Sequence, residues 1–381
     1  MEVTTSNEVD ILIIGAGVAG CIAAISLAPL HSVLLIDKLS EPVDRIGECL
    51  PPASKRILKK LNLLEGLEME IPSSLGQTAH LKNMGTQSYW GSEQMQVVDP
   101  LRNPDGFGWH LNRKAFETYL REIALLRGVS GCWPAKLQTA HFESSRWHIG
   151  VTTSNTLAFE YVAKFVIDAS GRQSHFAKKL NIQRKQFDKL IACWAILPNE
   201  QQNKLSTISA SEFGWWYTAA LPNNQRVLAF QTDADLVDRI AIKNVNEFVK
   251  LAKSNPQMAV MLEKNKGTID YRGTVAANSS SLQQVVGQQW AALGDAAMSF
   301  DPLSSQGMFN AMASAMQLTE LMEASSIFQS PNVKKIEAFQ TSYSNQMAQI
   351  WEQYLLHRNI FYCAERRWEE APFWKRRHKV E

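Results

Sequence analysis

The chain predicts an α/β fold in which a parallel sheet is interleaved with a mainly antiparallel sheet and followed by C-terminal helices. Three observations carry that reading. Residues 9–20 (VDILIIGAGVAG) join an apolar, β-branched run to Gly15-x-Gly17-x-x-Gly20. Residues 136–168 hold three short alternating runs and then the apolar Phe165-Val166-Ile167-Asp168. From about 188 to 285, alternating runs separated by turn residues replace helical periodicity.

The first unit reads as strand, glycine turn, helix, strand and acid, a Rossmann-like βαβ arrangement. Glycines at 15, 17 and 20 let the backbone turn tightly and approach a pyrophosphate, which sits at the positive end of the following helix. Cys21, Ala23 and Ala24 give that helix small residues, and it should stop near Pro29. Val33-Leu34-Leu35-Ile36 is the second strand, and Asp37 at its tip suits a ribose hydroxyl. Ala16 in the loop and Lys38 beside the acid complete the expected dinucleotide set.

Residues 54–66 read as an amphipathic helix ending at Gly66, and 114–127 as another closed by Gly128. Between them Ser88, Trp90, Gly91 and Asp105-Gly106 mark strands and turns. Runs at 136–143, 146–153 and 157–161, parted by Ser144-Ser145 and Ser154-Asn155, predict a three-stranded meander. The segment 165–168 then predicts a separate buried parallel strand. A meander as the crossover between parallel strands is unusual for a nicotinamide dehydrogenase. Residues 215–219 and 226–231 flank Pro222-Asn223-Asn224, a hairpin signal. Helix is expected over 240–265, strand over 289–294, helix from Gly307 to about Ala324, and a long helix over 334–370 with Pro372 beyond it. The expected domains are 1–80 with 110–180 and 286–330 for the nucleotide, 81–109 with 181–285 for substrate, and 331–381 as C-terminal helices.

Composition narrows the function classes. A formal charge of +2 gives no bulk electrostatic case for nucleic acid. The basic tail (Arg366, Arg367, Lys375, Arg376, Arg377, Lys379) interleaves with Trp368, Phe373 and Trp374, and reads as a helix end that packs aromatics and solvates charge. The five cysteines form no CxxC pair, which argues against a metal site or a disulfide framework. No apolar run is long enough to span a bilayer, and the first strand begins too early for a signal peptide, so no membrane partner and a cytoplasmic location are expected.

A second motif, Gly294-Asp295-Ala296-Ala297, closes the strand at 290–293, where an acid faces the ligand crevice of a nucleotide-binding sheet. Asp301-Pro302-Leu303-Ser304-Ser305-Gln306-Gly307 opens the next helix, whose N–H groups suit developing negative charge. Together with the glycine loop, Asp168-Ala169-Ser170-Gly171 and Arg113 in Arg-x-x-Phe-x-x-x-Leu, these motifs resemble FAD-dependent monooxygenases over nearly the whole chain. The resemblance implies a Rossmann-like FAD-binding domain with a β-meander crossover. It implies that Gly15, Gly17 and Gly20 hold the pyrophosphate and Asp37 the ribose. Arg113 would lie by the phosphate and ribityl region, and Asp295 would bind the ribityl and pyrophosphate part. Pro302, Ser305, Gly307 and Met308 would lie beside the isoalloxazine, while Asp168 would fix the sheet edge.

Arg45-Ile46-Gly47-Glu48-Cys49-Leu50-Pro51-Pro52 resembles the IGESLPP segment of the tryptophan-halogenase-like branch, as does the ending Tyr362-x-x-x-Arg366-Arg367-Trp368 with Phe373-Trp374. The halogenase hallmark Trp-x-Trp-x-Ile-Pro is absent; Gly214-Trp215-Trp216-Tyr217-Thr218-Ala219-Ala220-Leu221-Pro222 stands in its place. Lys82 lies in the region of the halogenase lysine, but in surroundings (His80-Leu81-Lys82-Asn83) that do not match. Residues 47–52, Ser88-x-Trp90-Gly91-Ser92, Gly108-Trp109-His110-Leu111-x-Arg113, residues 214–217 and 302–307 are most similar to flavoproteins that mature cysteine-tryptophylquinone amino-acid oxidases, the accessory proteins of lysine and glycine oxidases. The resemblance implies oxygen insertion into a tryptophan of a partner protein, the precursor of a quinone-dependent oxidase. Dioxygen would be consumed, and NAD(P)H or a separate reductase would donate electrons.

Trp90, Trp109, Trp215, Trp216 and Tyr217 are candidate walls for an aromatic substrate, or else ordinary core. Glu48 is a candidate catalytic carboxylate that anchors an indole N–H or acts as a base, or else a cap or ion pair. His110 is a candidate titrating group, or a structural histidine beside Arg113. Cys49 is a reactive thiol at a helix start or an inert one. Two alternatives stay open: hydroxylation or halogenation of a small aromatic molecule, and a flavin-binding chaperone for an immature quinoprotein.

Overall fold

The computed structural model describes residues 7–68, 79–153, 158–200, 202–236, 244–328 and 332–378. Strand Asn7–Ile14 lies between Val33–Ile36 and Ala158–Asp168, parallel to both. Ser130–Cys132 extends this sheet on one side and Trp290–Ala292 on the other, each in parallel. Ile11, Leu12, Ile13, Val33, Leu34, Leu35 and Ile36 are all buried, as continuous apolar strands covered on both faces must be.

The meander is present as Ala135–Glu143 and Arg146–Thr153, but its third strand is not separate. Ala158–Asp168 is one strand of 11 residues. It pairs antiparallel with Arg146–Thr153 on one side and parallel with Asn7–Ile14 on the other. Tyr161, Ala163, Phe165 and Val166 are buried, and Lys164 between them points out to pair with Asp10 at 2.7 Å, so the strand runs on where two were expected. Ser154-Asn155 and Leu157 lie outside the described residues.

A second sheet of seven strands runs in the order Asp270–Ala276, Leu190–Pro198, Gln225–Asp233, Gly214–Leu221, Ser206–Ser211, Thr86–Tyr89 and Gln96–Val98. Its central hairpin turns on Asn223 and Asn224, both left-handed (φ 61° and 54°), which asparagine tolerates. Cys49–Leu50, Trp109–Leu111 and His80–Lys82 form a small sheet of their own. The expected boundaries at 80/81 and 109/110 run through that sheet.

Three expected helices differ in extent. The one over 54–66 stops at Lys60: Asn62 turns left-handed (φ 52°) and the Leu63 N–H reaches back to the Leu58 carbonyl at 2.8 Å. Gly66 falls in a short second helix, Glu65–Glu68, where a Cβ would lie 2.1 Å from the Tyr119 ring. The span 240–265 is two helices, Val245–Lys253 and Pro256–Glu263, because Asn255 caps the second and Pro256 begins it; residues 240–243 lie outside the described residues. The long helix is Val333–Ala364, followed by Pro372–Arg377. Phe373 and Trp374 are buried, and Arg376 and Arg377 pair with Asp233 at 2.9 and 2.7 Å; Lys379 lies outside the described residues. Among the described residues no helix is long and apolar enough to cross a membrane, and no cluster of His, Cys, Asp or Glu could hold a metal.

Candidate active site

A cavity of about 790 Å³ runs from the glycine loop to the inner face of the seven-stranded sheet. At one end three glycines have three different tasks. Gly15 adopts φ +108°, and a Cβ there would lie 2.4 Å from the Ala169 carbonyl oxygen. At Gly20 a Cβ would lie 1.9 Å from the Gly15 carbonyl oxygen, so helix Val18–Leu27 could not seat against the loop. Gly17 lines the cavity, and a Cβ there would meet nothing within 4 Å. Gly17 is also the helix N-cap, and no side chain caps it among the described residues. The free N–H groups and positive helix end lie at the cavity, beside open space for a phosphate.

Asp37 lines the same end and is held in place by its neighbours. Its Oδ2 accepts from the Ala16 N–H at 2.7 Å, and its Oδ1 from the Leu39 N–H at 2.8 Å. Arg121 stands 3.3 Å from the carboxylate. Lys38 also lines the cavity. Ala16 and Gly20 do not. Both were expected to bind cofactor; instead one orients the acid and the other seats the helix.

Along the cavity, Arg113 donates to the Gly47 carbonyl at 2.7 Å and pairs with Glu117 at 2.6 Å, and Arg45 pairs with the same carboxylate. Asp295 lies 3.7 Å from Arg172. Pro302, Ser305, Gly307 and Met308 line the cavity where helix Gly307–Ala324 begins. Asp168 is fully buried away from it and accepts from Ser170, Phe176 and Ala177 N–H groups at 3.0 Å, which fixes the sheet edge. The long cavity, the uncapped helix end, the open glycine and the buttressed acid fit an FAD molecule.

The other end is built by strand alternation. In Gly214–Leu221 the side chains of Trp215 and Tyr217 face the cavity. Trp216 faces the other way, against Phe230 and Phe248 with ring centroids 4.6 and 5.4 Å apart. Trp216 is therefore core, not cavity wall. Trp90 does not line the cavity either. Its Nε1 donates to the Phe361 carbonyl at 2.7 Å, and its ring packs on Trp374 behind Trp215. Trp109 is buried against Phe107.

Glu48 is 2% exposed and lines the cavity. Tyr217 Oη donates to its Oε1 at 2.6 Å, and the Gly47 N–H reaches its Oε2 at 3.1 Å. Burial, reinforced by the Glu48 charge, pushes the Tyr217 phenol well above its ordinary range, so it remains a donor. His110 is not on the cavity. It is fully buried in the small sheet, shares a hydrogen bond with Ser206 Oγ at 2.9 Å, and burial lowers its pKa. That favours a neutral structural histidine over a catalytic one. Cys49 lines the cavity, but burial pushes its thiol up to about 12, which leaves it un-ionised and unreactive. Lys82 sits over the Phe107 ring at 4.5 Å and does not line the cavity.

Asp301, at the head of the Pro302 turn, was named in its motif but given no role by sequence reasoning. Tyr362 Oη donates to its Oδ2 at 2.7 Å, and Trp215 Nε1 donates to Tyr362 Oη at 3.1 Å. The chain Trp215–Tyr362–Asp301 ties the C-terminal helix to the cavity wall across sequence gaps that no local spacing reveals. Burial raises the Asp301 carboxyl from 3.8 to about 6. The native state therefore holds this proton more tightly than the unfolded chain does. Asp301 stabilises the fold most below about pH 4, and the contribution falls as pH rises through 6, on the order of 3 kcal/mol in all. Asp301→Asn should flatten the change in Tm between pH 4 and 6.5; an unchanged pH profile would remove Asp301 as its source.

Residues 72–381 match the family described as tryptophan halogenase. LodB of Marinomonas mediterranea, assigned as an FAD-dependent oxidoreductase, is 27% identical over 97% of this chain and 96% of its own length. The solved structure of the flavin-dependent halogenase CmlS superposes with a TM-score of 0.83 at 21% identity, over 98% of this chain and 68% of CmlS. The peptidyl tryptophan dihydroxylase QhpG, essential for tryptophylquinone cofactor biogenesis, superposes at 0.73 with 19% identity, over 97% of this chain and 78% of QhpG. With the family match spanning most of the chain and a cavity that fits its cofactor, the protein belongs to the tryptophan halogenase family and is an FAD-dependent oxidoreductase.

Proposed function

We propose that this flavoenzyme hydroxylates a tryptophan side chain of a partner protein, the precursor of a quinone-dependent amino-acid oxidase. The observation that carries the chemistry is the Glu48–Tyr217 pair on a cavity that the Pro302–Gly307 turn also lines, with Trp215 as an aromatic wall. The lysines that line the cavity, Lys38 and Lys136, belong to the Asp37 end: Lys38 follows the acid, and the Ala135 N–H beside Lys136 donates to the Asp37 carbonyl at 2.6 Å. No lysine lines the wall of Trp215 and Tyr217 among the described residues, which favours hydroxylation over halogenation.

Bound FAD, once reduced, supplies with dioxygen the oxygen atom inserted into the ring. Trp215 and Ile208 hold the ring and exclude water. Glu48 accepts the proton that the ring loses as its new C–O bond forms, and Tyr217 orients the carboxylate through its 2.6 Å hydrogen bond. The sequence carries no second glycine-rich loop, which supports electron supply from NAD(P)H bound transiently or from a separate reductase. The resemblance to tryptophylquinone-maturing flavoproteins and the fold shared with QhpG support a peptidyl tryptophan as substrate.

Reduced FAD, oxygen, bromide and a tryptophan-bearing oxidase precursor should give an oxygenated product without bromine. A brominated tryptophan would overturn hydroxylation as the reaction.

A further inference from the structure

Gln231, on the seven-stranded sheet, lines the cavity. On strand Gln225–Asp233 it is flanked by Trp215 on one side and Ala192 on the other, and all three side chains line the cavity. Its neighbours Phe230 and Thr232 face away, Phe230 into the core with Trp216 and Thr232 onto the Phe213 carbonyl at 2.7 Å. Gln231 is only 2% exposed, yet among the described residues its Oε1 has no hydrogen-bond partner. A buried amide oxygen left unpaired is unfavourable, and water or a bound molecule normally completes it. Glu48, the other acceptor at this end, is already engaged by Tyr217 and Gly47.

We propose that Gln231 is the specificity-determining residue of the site and accepts the ring N–H of an indole that lies against Trp215. This rests on the indole substrate of the proposed function and assigns its recognition to a particular amide. It also divides the work: Gln231 fixes the ring by its N–H edge, and Glu48, held by Tyr217 and Gly47, takes the proton. A site with a buried acceptor set for an N–H rejects a ring that lacks one, because the acceptor is then left unpaired.

The test titrates the FAD-loaded protein with N-acetyl-L-tryptophanamide and with its 1-methyl analogue, reading the perturbation of flavin absorption. Wild-type protein should bind the N–H form more tightly by about tenfold or more. Gln231→Leu should erase that preference and bind both probes alike. Because Leu removes an unpaired buried amide, its Tm should equal or exceed that of wild type. A lower Tm in both Gln231→Leu and Gln231→Met would mean the amide is paired within the fold, and would overturn the proposal. So would an equal preference in wild type and variant, or no binding of either probe to wild type. The partner separates the two claims. If an oxidase tryptophan is oxygenated while Gln231→Leu keeps its N–H preference, the assignment of Gln231 fails and the proposed function stands. If the preference is lost in Gln231→Leu but no partner is oxygenated, the assignment stands and the partner reading fails.

Discussion

Gly17→Leu should yield a folded protein without FAD, whereas Gly20→Ala should yield an unstable one. The two glycines are three residues apart and answer to different constraints. Gly17 has an ordinary φ of −83°, so a side chain adds no backbone strain, and its Cβ would enter open space on the cavity wall. A leucine there occupies the approach to the helix N-terminus and blocks the pyrophosphate. FAD affinity should fall by at least about 100-fold, about 2.7 kcal/mol, with Tm of the flavin-free protein nearly unchanged. At Gly20 even a methyl group collides with the Gly15 carbonyl at 1.9 Å, so backbone must move. The expected destabilisation is about 1–3 kcal/mol, the scale of overpacking in a core. Flavin absorbance per protein and thermal unfolding of both variants check the pair. Stoichiometric flavin in Gly17→Leu would refute the phosphate-loop assignment.

Glu48→Gln should keep FAD and lose turnover. The amide oxygen can still accept from Tyr217, so the pair's geometry survives while the basicity disappears. General-base catalysis of this kind contributes about 10²–10⁴-fold, and a loss in that range is expected in the oxygen-transfer step under single-turnover conditions. Tyr217→Phe should have a smaller effect, since it removes the 2.6 Å hydrogen bond that orients Glu48 and leaves the carboxylate. Unchanged turnover in Glu48→Gln would take that residue out of the mechanism.

Much of the nucleotide half was legible because its signals are local. A glycine turn, an apolar strand and a terminal acid fall within residues 9–37, and each has a conformational reason that one side chain decides. The hairpin at Asn223 and Asn224 was legible on the same grounds. The substrate half was less so. Residues 214–217 show aromatic content but not which face each side chain takes, and strand register put Trp215 and Tyr217 on the cavity and Trp216 in the core. Trp90 and His110 carried functional residue types into structural positions, because burial depends on which elements pack over them. Asp301, Tyr362 and Gln231 went unassigned because their roles arise from contacts between distant segments, with 61 residues separating the first two.

The most direct test is mass spectrometry of a quinone-dependent amino-acid oxidase precursor produced with and without this flavoprotein, with the Gly17→Leu variant as the flavin-free control. The account predicts oxygen on one precursor tryptophan when the wild-type chain is present, and none in its absence or with the variant. A precursor that stays unmodified beside folded, FAD-loaded flavoprotein and a reductant would contradict it.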